Sequence, residues 1–209
     1  MLRYLALGDS YTIGEGVAEE GRWPMQLARG LREAGMAIAD PRIIATTGWT
    51  TDELSAAMDA AEPLSDWDFV SLLIGVNNQY RGRSVDEYVG EFAGLLPRAV
   101  ALANGRADRV LVLSIPDWGV TPFAFAGGHD RQAIADDLDA YNAAARELCE
   151  ASGVAFVDIT GISRDGGDAP AMLADDALHP SALQYARWTE AALPVAQRLL
   201  AGDATPSAG

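Results

Sequence analysis

Few side chains in this sequence can move a proton or attack an electrophile near neutral pH. There are two histidines, His129 and His179, one cysteine, Cys149, and no lysine. His179 closes the run Asp176-Ala177-Leu178-His179, with Asp175 alongside. Ser10, Gly48 and Asn77 each follow closely on a short apolar segment. Hydroxyl, imidazole and carboxylate are the groups from which covalent acyl transfer is assembled, because a serine hydroxyl is a poor nucleophile until a base takes its proton. A metal site is the rival reading of Asp175, Asp176 and His179, with His129 and Asp130. No metal-ligand spacing is complete there, so His129 reads as a solvated loop residue.

Something must bring these distant positions together. Apolar segments alternate with amphipathic ones throughout. Tyr4–Leu7, Ile43–Ala45, Phe69–Ile74, Val110–Ile115 and Val154–Val157 read as buried strands by length and composition. Helices are expected over Pro24–Ala34, from Thr51 to about Ala61, after Ser84, over Arg131–Ala151 and from about Ser181. Thr50 with Glu53, Ser84 with Glu87 and Ser181 with Gln184 have capping-box spacing. Pro97 should kink or split its helix. Residues 117–130 read as a long loop and 160–177 as irregular. Five strands alternating with helices imply a parallel sheet covered on both faces, a single-domain α/β three-layer αβα sandwich over residues 1–201. Residues 202–209 read as a flexible tail. In such sheets, ligands bind beyond the carboxyl ends of the strands, where Ser10, Gly48 and Asn77 fall.

Composition narrows the function classes. The formal net charge is −15 over 209 residues. So acidic a chain repels phosphate backbones and anionic lipid surfaces, and nucleic acid is not an expected partner. No apolar run is long enough for a membrane span. Met1–Leu7 is too short for a signal peptide, so a cytoplasmic protein is expected. One cysteine allows no intrachain disulfide, and its place on an apolar helix stripe makes Cys149 a core residue. No feature specifies an oligomeric state.

Gly8-Asp9-Ser10, Gly48, Gly75-Val76-Asn77-Asn78 and Asp176-Ala177-Leu178-His179 together resemble the four blocks of the SGNH/GDSL hydrolase family, in the family's order and over residues 8 to 179. The resemblance implies a flavodoxin-like sheet of order 2-1-3-4-5 and a serine esterase. It implies Ser10 as nucleophile, His179 as general base and Asp176 as the group that orients His179. It also implies an oxyanion hole made by the backbone N–H groups of Ser10 and Gly48 and the side-chain amide of Asn77. The third block usually ends in aspartate and here ends in Asn78, so Asn78→Asp is expected to be mild. Asp9 reads as a structural turn residue.

Close rivals lack their motifs. The serine is not in a G-x-S-x-G elbow. Without lysine there is no phosphate-binding P-loop, and Gly14-Glu15-Gly16 has Glu19 where a dinucleotide fingerprint needs a third glycine. No cofactor is therefore expected. The substrate implied is a small acyl ester or thioester, with short acyl groups preferred. A carbohydrate deacetylase or lysophospholipase of the same family is the alternative, and a non-catalytic acyl- or carbohydrate-binding domain a further one. Trp118 and Phe123-Ala124-Phe125-Ala126 are candidates for the acyl-pocket wall. Tyr80 and Arg81 are candidates to line the site, Arg81 equally to pair with a surface carboxylate. Trp49, Trp67 and Trp188 read as core or rim.

Overall fold

The computed structural model describes residues 1–64 and 66–201. The expected tail, 202–209, lies outside the described residues. The strands are β1 (Tyr4–Gly8), β2 (Arg42–Ala45), β3 (Phe69–Leu73), β4 (Val110–Leu113) and β5 (Ala155–Val157). They form one parallel sheet in the order β2-β1-β3-β4-β5. β1 and β3 are buried along their whole length, which is why they read as continuous apolar runs rather than alternating ones.

The helices are α1 (Ser10–Ile13), α2 (Trp23–Glu33), α3 (Thr51–Ala60), α4 (Val76–Tyr80), α5 (Val85–Leu102), α6 (Pro122–Ala126), α7 (Arg131–Ala151), α8 (Thr160–Arg164) and α9 (Ala182–Leu200). α2 packs against α9, whereas α5 packs against both α3 and α7, so helices cover the two faces of the sheet. Each long helix turns a 3.6-residue apolar stripe inward. In α7 the stripe is Ile134, Leu138, Tyr141, Ala145 and Cys149, all buried. Burial pushes the Cys149 thiol up to about 12, which leaves it an inert core group.

Local signals set the helix starts. Ser84 accepts from Glu87 N at 3.2 Å, and Glu87 Oε2 accepts from Ser84 N at 2.9 Å. Glu53 Oε2 likewise accepts from Thr50 N at 2.9 Å. Ser181 accepts from Gln184 N, but the Gln184 side chain donates to Ile162 O at 3.3 Å instead of closing a box. Two expectations are corrected. Pro97 neither splits nor ends α5, which runs through it. Pro97 is exposed, as are the small residues Ala93 and Gly94 one turn earlier, so water can reach the carbonyl that proline leaves without its helical partner. The segment 117–130 holds α6 and a 3₁₀ turn at Trp118–Val120, and 160–177 holds α8 and a second 3₁₀ turn at Pro170–Met172. These pieces are too short for periodicity to reveal.

Candidate active site

The site grows from the carboxyl ends of the three adjacent strands β2, β1 and β3. Gly8, the last residue of β1, pairs with Ala45 on one side and Leu73 on the other. The next residues of each chain segment therefore emerge side by side. After β1 comes Asp9, which caps α1 by accepting from Tyr11 N at 3.0 Å. Ser10 stands in the first turn of that helix, where backbone N–H groups have no helical partner. Its side chain is almost buried.

After β2, Thr46-Thr47-Gly48-Trp49 makes a tight turn, with Trp49 N donating to Thr46 O at 3.3 Å. Gly48 has φ +89°, the left-handed value a type II turn demands at its third residue, which is the reason for glycine here. After β3, Gly75 at φ +127° opens α4. A Cβ on Gly75 would come within 2.6 Å of the Tyr88 ring, so the turn into α4 also requires glycine. Asn77 donates through Nδ2 to Trp49 O at 2.9 Å, tying α4 to the Gly48 turn.

The fourth contribution arrives from far along the chain. His179 Nδ1 lies 2.5 Å from Asp176 Oδ2. Asp176 Oδ1 accepts from Leu178 N at 3.0 Å and His179 N at 2.9 Å. Partial burial alone would raise the Asp176 carboxyl, but these bonds from the His179 ring and the two backbone N–H groups hold it below its usual value. The turn is pinned from outside by Ala174 N donating to His179 O at 2.8 Å and Ser181 N donating to Met172 O at 2.9 Å. Ala177 sits inside it at φ +58°, a conformation that costs a non-glycine residue about 1–2 kcal/mol.

Ser10, Gly48, Asn77 and His179 all face one cavity of about 200 Å³. Its remaining walls are Tyr11, Thr47, Val76, Tyr80, Trp118, Phe123 and Leu178. Asp176 stands behind His179. Among the described residues no hydrogen bond joins the Ser10 hydroxyl to the His179 ring, although both line the cavity. Trp118 is held by its Nε1 donating to Gln79 Oε1 at 2.8 Å, and Gln79 Nε2 donates in turn to Asp137 Oδ2 at 3.2 Å. Gln79 was not singled out in the sequence; its partners lie 39 and 58 residues away, and no local pattern marks it. Phe123 lines the cavity, whereas Phe125 is 75% exposed and lies outside it. His129 is exposed, but its ring meets Trp118 edge-on at 5.0 Å and stacks on Phe123 at 6.3 Å, so it belongs to the aromatic rim rather than to open solvent. No three His, Cys, Asp or Glu side chains among the described residues are grouped to hold a metal ion.

A profile of the GDSL-like Lipase/Acylhydrolase family matches residues 6–187, a span that contains every position described above. The chain belongs to this family. It is a hydrolase of the esterase and acylhydrolase kind. No curated protein sequence matches it significantly. Solved structures share the fold: TesA, at 20% identity and TM-score 0.72, over 95% of this chain and 99% of that one; an acetyl xylan esterase from Geobacillus stearothermophilus, at 21% identity and TM-score 0.69, over 93% and 94%; and a psychrotrophic esterase from Pseudoalteromonas, inhibited by monoethylphosphonate, at 16% identity and TM-score 0.64, over 97% and 96%. Among the described residues no helix is long and apolar enough to cross a membrane.

The GDSL turn carries an unusual carboxyl. Asp9 is fully buried and its Oδ2 has no hydrogen-bond partner. Burial pushes its pKa up to about 7, against the lowering effect of the backbone N–H bonds. A carboxyl raised from 3.8 to about 7 gives stability that is complete below pH 3.8 and lost as pH rises through about 7. Asp9→Asn keeps an acceptor for Tyr11 N and removes the charge. Its melting temperature should exceed the wild type's at pH 8, with the gap closing toward pH 4. A constant gap across that range would contradict a buried, titrating Asp9.

Asn78 revises another expectation. It is fully buried. Its Oδ1 accepts from Thr51 N at 3.1 Å, and its Nδ2 donates to Thr51 Oγ1 at 2.7 Å and Glu91 Oε2 at 3.0 Å. An aspartate at 78 would face the Glu91 carboxylate with no proton to donate, so the family's usual residue does not suit this chain. Asn78→Asp should cost about 2 kcal/mol or more in denaturant unfolding, and adding Glu91→Gln should recover most of it. Wild-type stability for the single variant would show that the pair does not matter.

Proposed function

We propose that this GDSL-family enzyme hydrolyses small carboxylic esters through a covalent acyl-enzyme on Ser10. The observation that carries the reading is the convergence of Ser10, Gly48, Asn77 and the Asp176-bound His179 on one apolar cavity. In the proposed cycle the Ser10 hydroxyl oxygen attacks the ester carbonyl carbon while His179 Nε2 takes its proton. Asp176, on Nδ1, holds the ring in the tautomer that leaves Nε2 free to accept and steadies the imidazolium that forms. The Ser10–His179 hydrogen bond then closes as substrate binds, the usual behaviour of sites whose contacts are loose when empty. The carbonyl oxygen becomes an oxyanion, taken up by the Ser10 and Gly48 N–H groups and the Asn77 amide. His179 returns the proton to the leaving alcohol, and water repeats the sequence on the acyl-enzyme.

Size and lining support a short acyl group. A cavity of about 200 Å³ is smaller than the roughly 300–1,000 Å³ that encloses drug-sized ligands. Tyr80, Trp118 and Phe123 give it an aromatic wall and leave little for a charged acyl group to bond.

A fluorophosphonate probe should label the wild type at Ser10 and leave Ser10→Ala unlabelled. Ser10→Ala should lose roughly 10⁴- to 10⁶-fold in kcat on p-nitrophenyl acetate with its melting temperature preserved. Labelling elsewhere, or unchanged turnover in the variant, would sink the mechanism. Across p-nitrophenyl esters, acyl-CoA thioesters and acetylated sugars, kcat/KM should be highest for acetyl to butyryl groups. A steady rise toward palmitoyl would contradict the short-acyl reading and favour a lysophospholipase.

A further inference from the structure

The Gly48 turn is gripped from outside the cavity. Arg81, one residue past α4, donates through Nη2 to Gly48 O at 2.6 Å. The same guanidinium reaches Glu53 in α3, Nη1 to Oε1 at 3.2 Å and Nη2 to Oε2 at 3.1 Å. Glu53 is itself fixed by the Thr50 N–H, and that bond together with Arg81 holds its carboxyl below the ordinary value, so it stays ionised. Arg81 therefore spans from a helix N-terminus to one backbone carbonyl. On the other flank of the turn, Thr47 Oγ1 donates to Glu15 Oε2, in the loop after Ser10.

These contacts set where the turn stands. Gly48 lines the cavity, and its N–H moves with the 46–49 backbone. The Arg81 bond to Gly48 O and the Glu15 bond to the Thr47 hydroxyl tie both halves of the turn to neighbouring elements, so the backbone that carries this N–H cannot shift from the cavity wall without breaking one of them.

Resting on the acyl-enzyme reading above, we infer that Arg81 is a positioning residue for the oxyanion donor at Gly48, anchoring the 46–49 turn to α3 at the place from which this N–H meets the cavity. Arg81 touches no reacting atom. It acts through the Gly48 carbonyl, and the charge on its guanidinium matters less than the bond it donates.

The test measures kcat, KM and the second-order rate of Ser10 phosphonylation by a fluorophosphonate in Arg81→Ala, Arg81→Gln, Gly48→Ala and the Arg81→Ala/Gly48→Ala double variant, each checked for its melting temperature. Arg81→Ala should lower kcat and the phosphonylation rate together by roughly ten- to hundredfold, with KM within about threefold, because the donor acts on the transition state. Arg81→Gln is neutral but keeps a donor, and should recover part of the rate; a purely electrostatic role would leave it as slow as the alanine variant and would overturn the inference. Acting through Gly48, Arg81→Ala should cost little further in the Gly48→Ala background. Independent, multiplying effects, or a folded Arg81→Ala with wild-type kcat and phosphonylation rate, would likewise overturn it. Failure of the wild type to label at Ser10 would instead remove the acyl-enzyme reading, and this inference with it.

Discussion

Everything at the site depends on β1 being paired in parallel on both sides. Its last residue, Gly8, lies level with Ala45 of β2 and Leu73 of β3. Because parallel strands all point the same way, the segments that leave them emerge on one edge, within a few residues of the last rung of the ladder. Ser10, Gly48 and Asn77, 67 positions apart at the extremes, thus come to line one cavity. A Cβ on Gly8 would meet Leu73 O at 2.5 Å and Thr12 Oγ1 at 2.2 Å, so the close packing of α1 onto the sheet edge is also set at that rung. Only the Asp176–His179 turn is brought in from outside the sheet, and it carries its own rigidity in the bonds to Asp176 and the bridge between Leu173 and Pro180.

What lies beneath this edge is unusually polar for a core. Asp9, Thr12 and Tyr185 are buried with side-chain oxygens that have no hydrogen-bond partner. A buried polar group left without a partner costs about 1–3 kcal/mol. A protonated Asp9 removes the heaviest part of that cost, because the charged carboxylate is what burial penalises. Stability at the turn is thereby linked to pH.

Much of this was legible in the sequence where the cause was local. The buried strands announce themselves by short apolar runs, and Ser84 with Glu87 marks a helix start that the structure makes as spaced. Four short blocks singled out Ser10, Gly48, Asn77 and His179, which the structure brings to one cavity, and Asp176, which it bonds to His179. Contacts between distant segments were not. Arg81 was readable either as a residue near the site or as a surface ion pair, and it is both, bonding Gly48 O and Glu53. Gln79, which braces Trp118, had no signal at all. Asn78 misled, because a departure from a family pattern can only be judged against its partner, Glu91, thirteen residues on. Pro97 was expected to kink or split its helix; it does not split it, and the turn around it is exposed, where water can meet the carbonyl that proline leaves without its helical partner.

The central proposal is geometric: Ser10 Oγ attacks the ester carbonyl and becomes acylated, with the oxyanion held between the Ser10 and Gly48 N–H groups and the Asn77 amide. A crystal structure of the chain after phosphonylation tests it most directly, since the phosphonyl oxygen stands where the oxyanion would. The account predicts one phosphorus atom bonded to Ser10 Oγ and a phosphonyl oxygen about 2.7–3.1 Å from Ser10 N, Gly48 N and Asn77 Nδ2. A phosphonyl oxygen turned away from Gly48 and Asn77, or phosphorus on another residue, would contradict it.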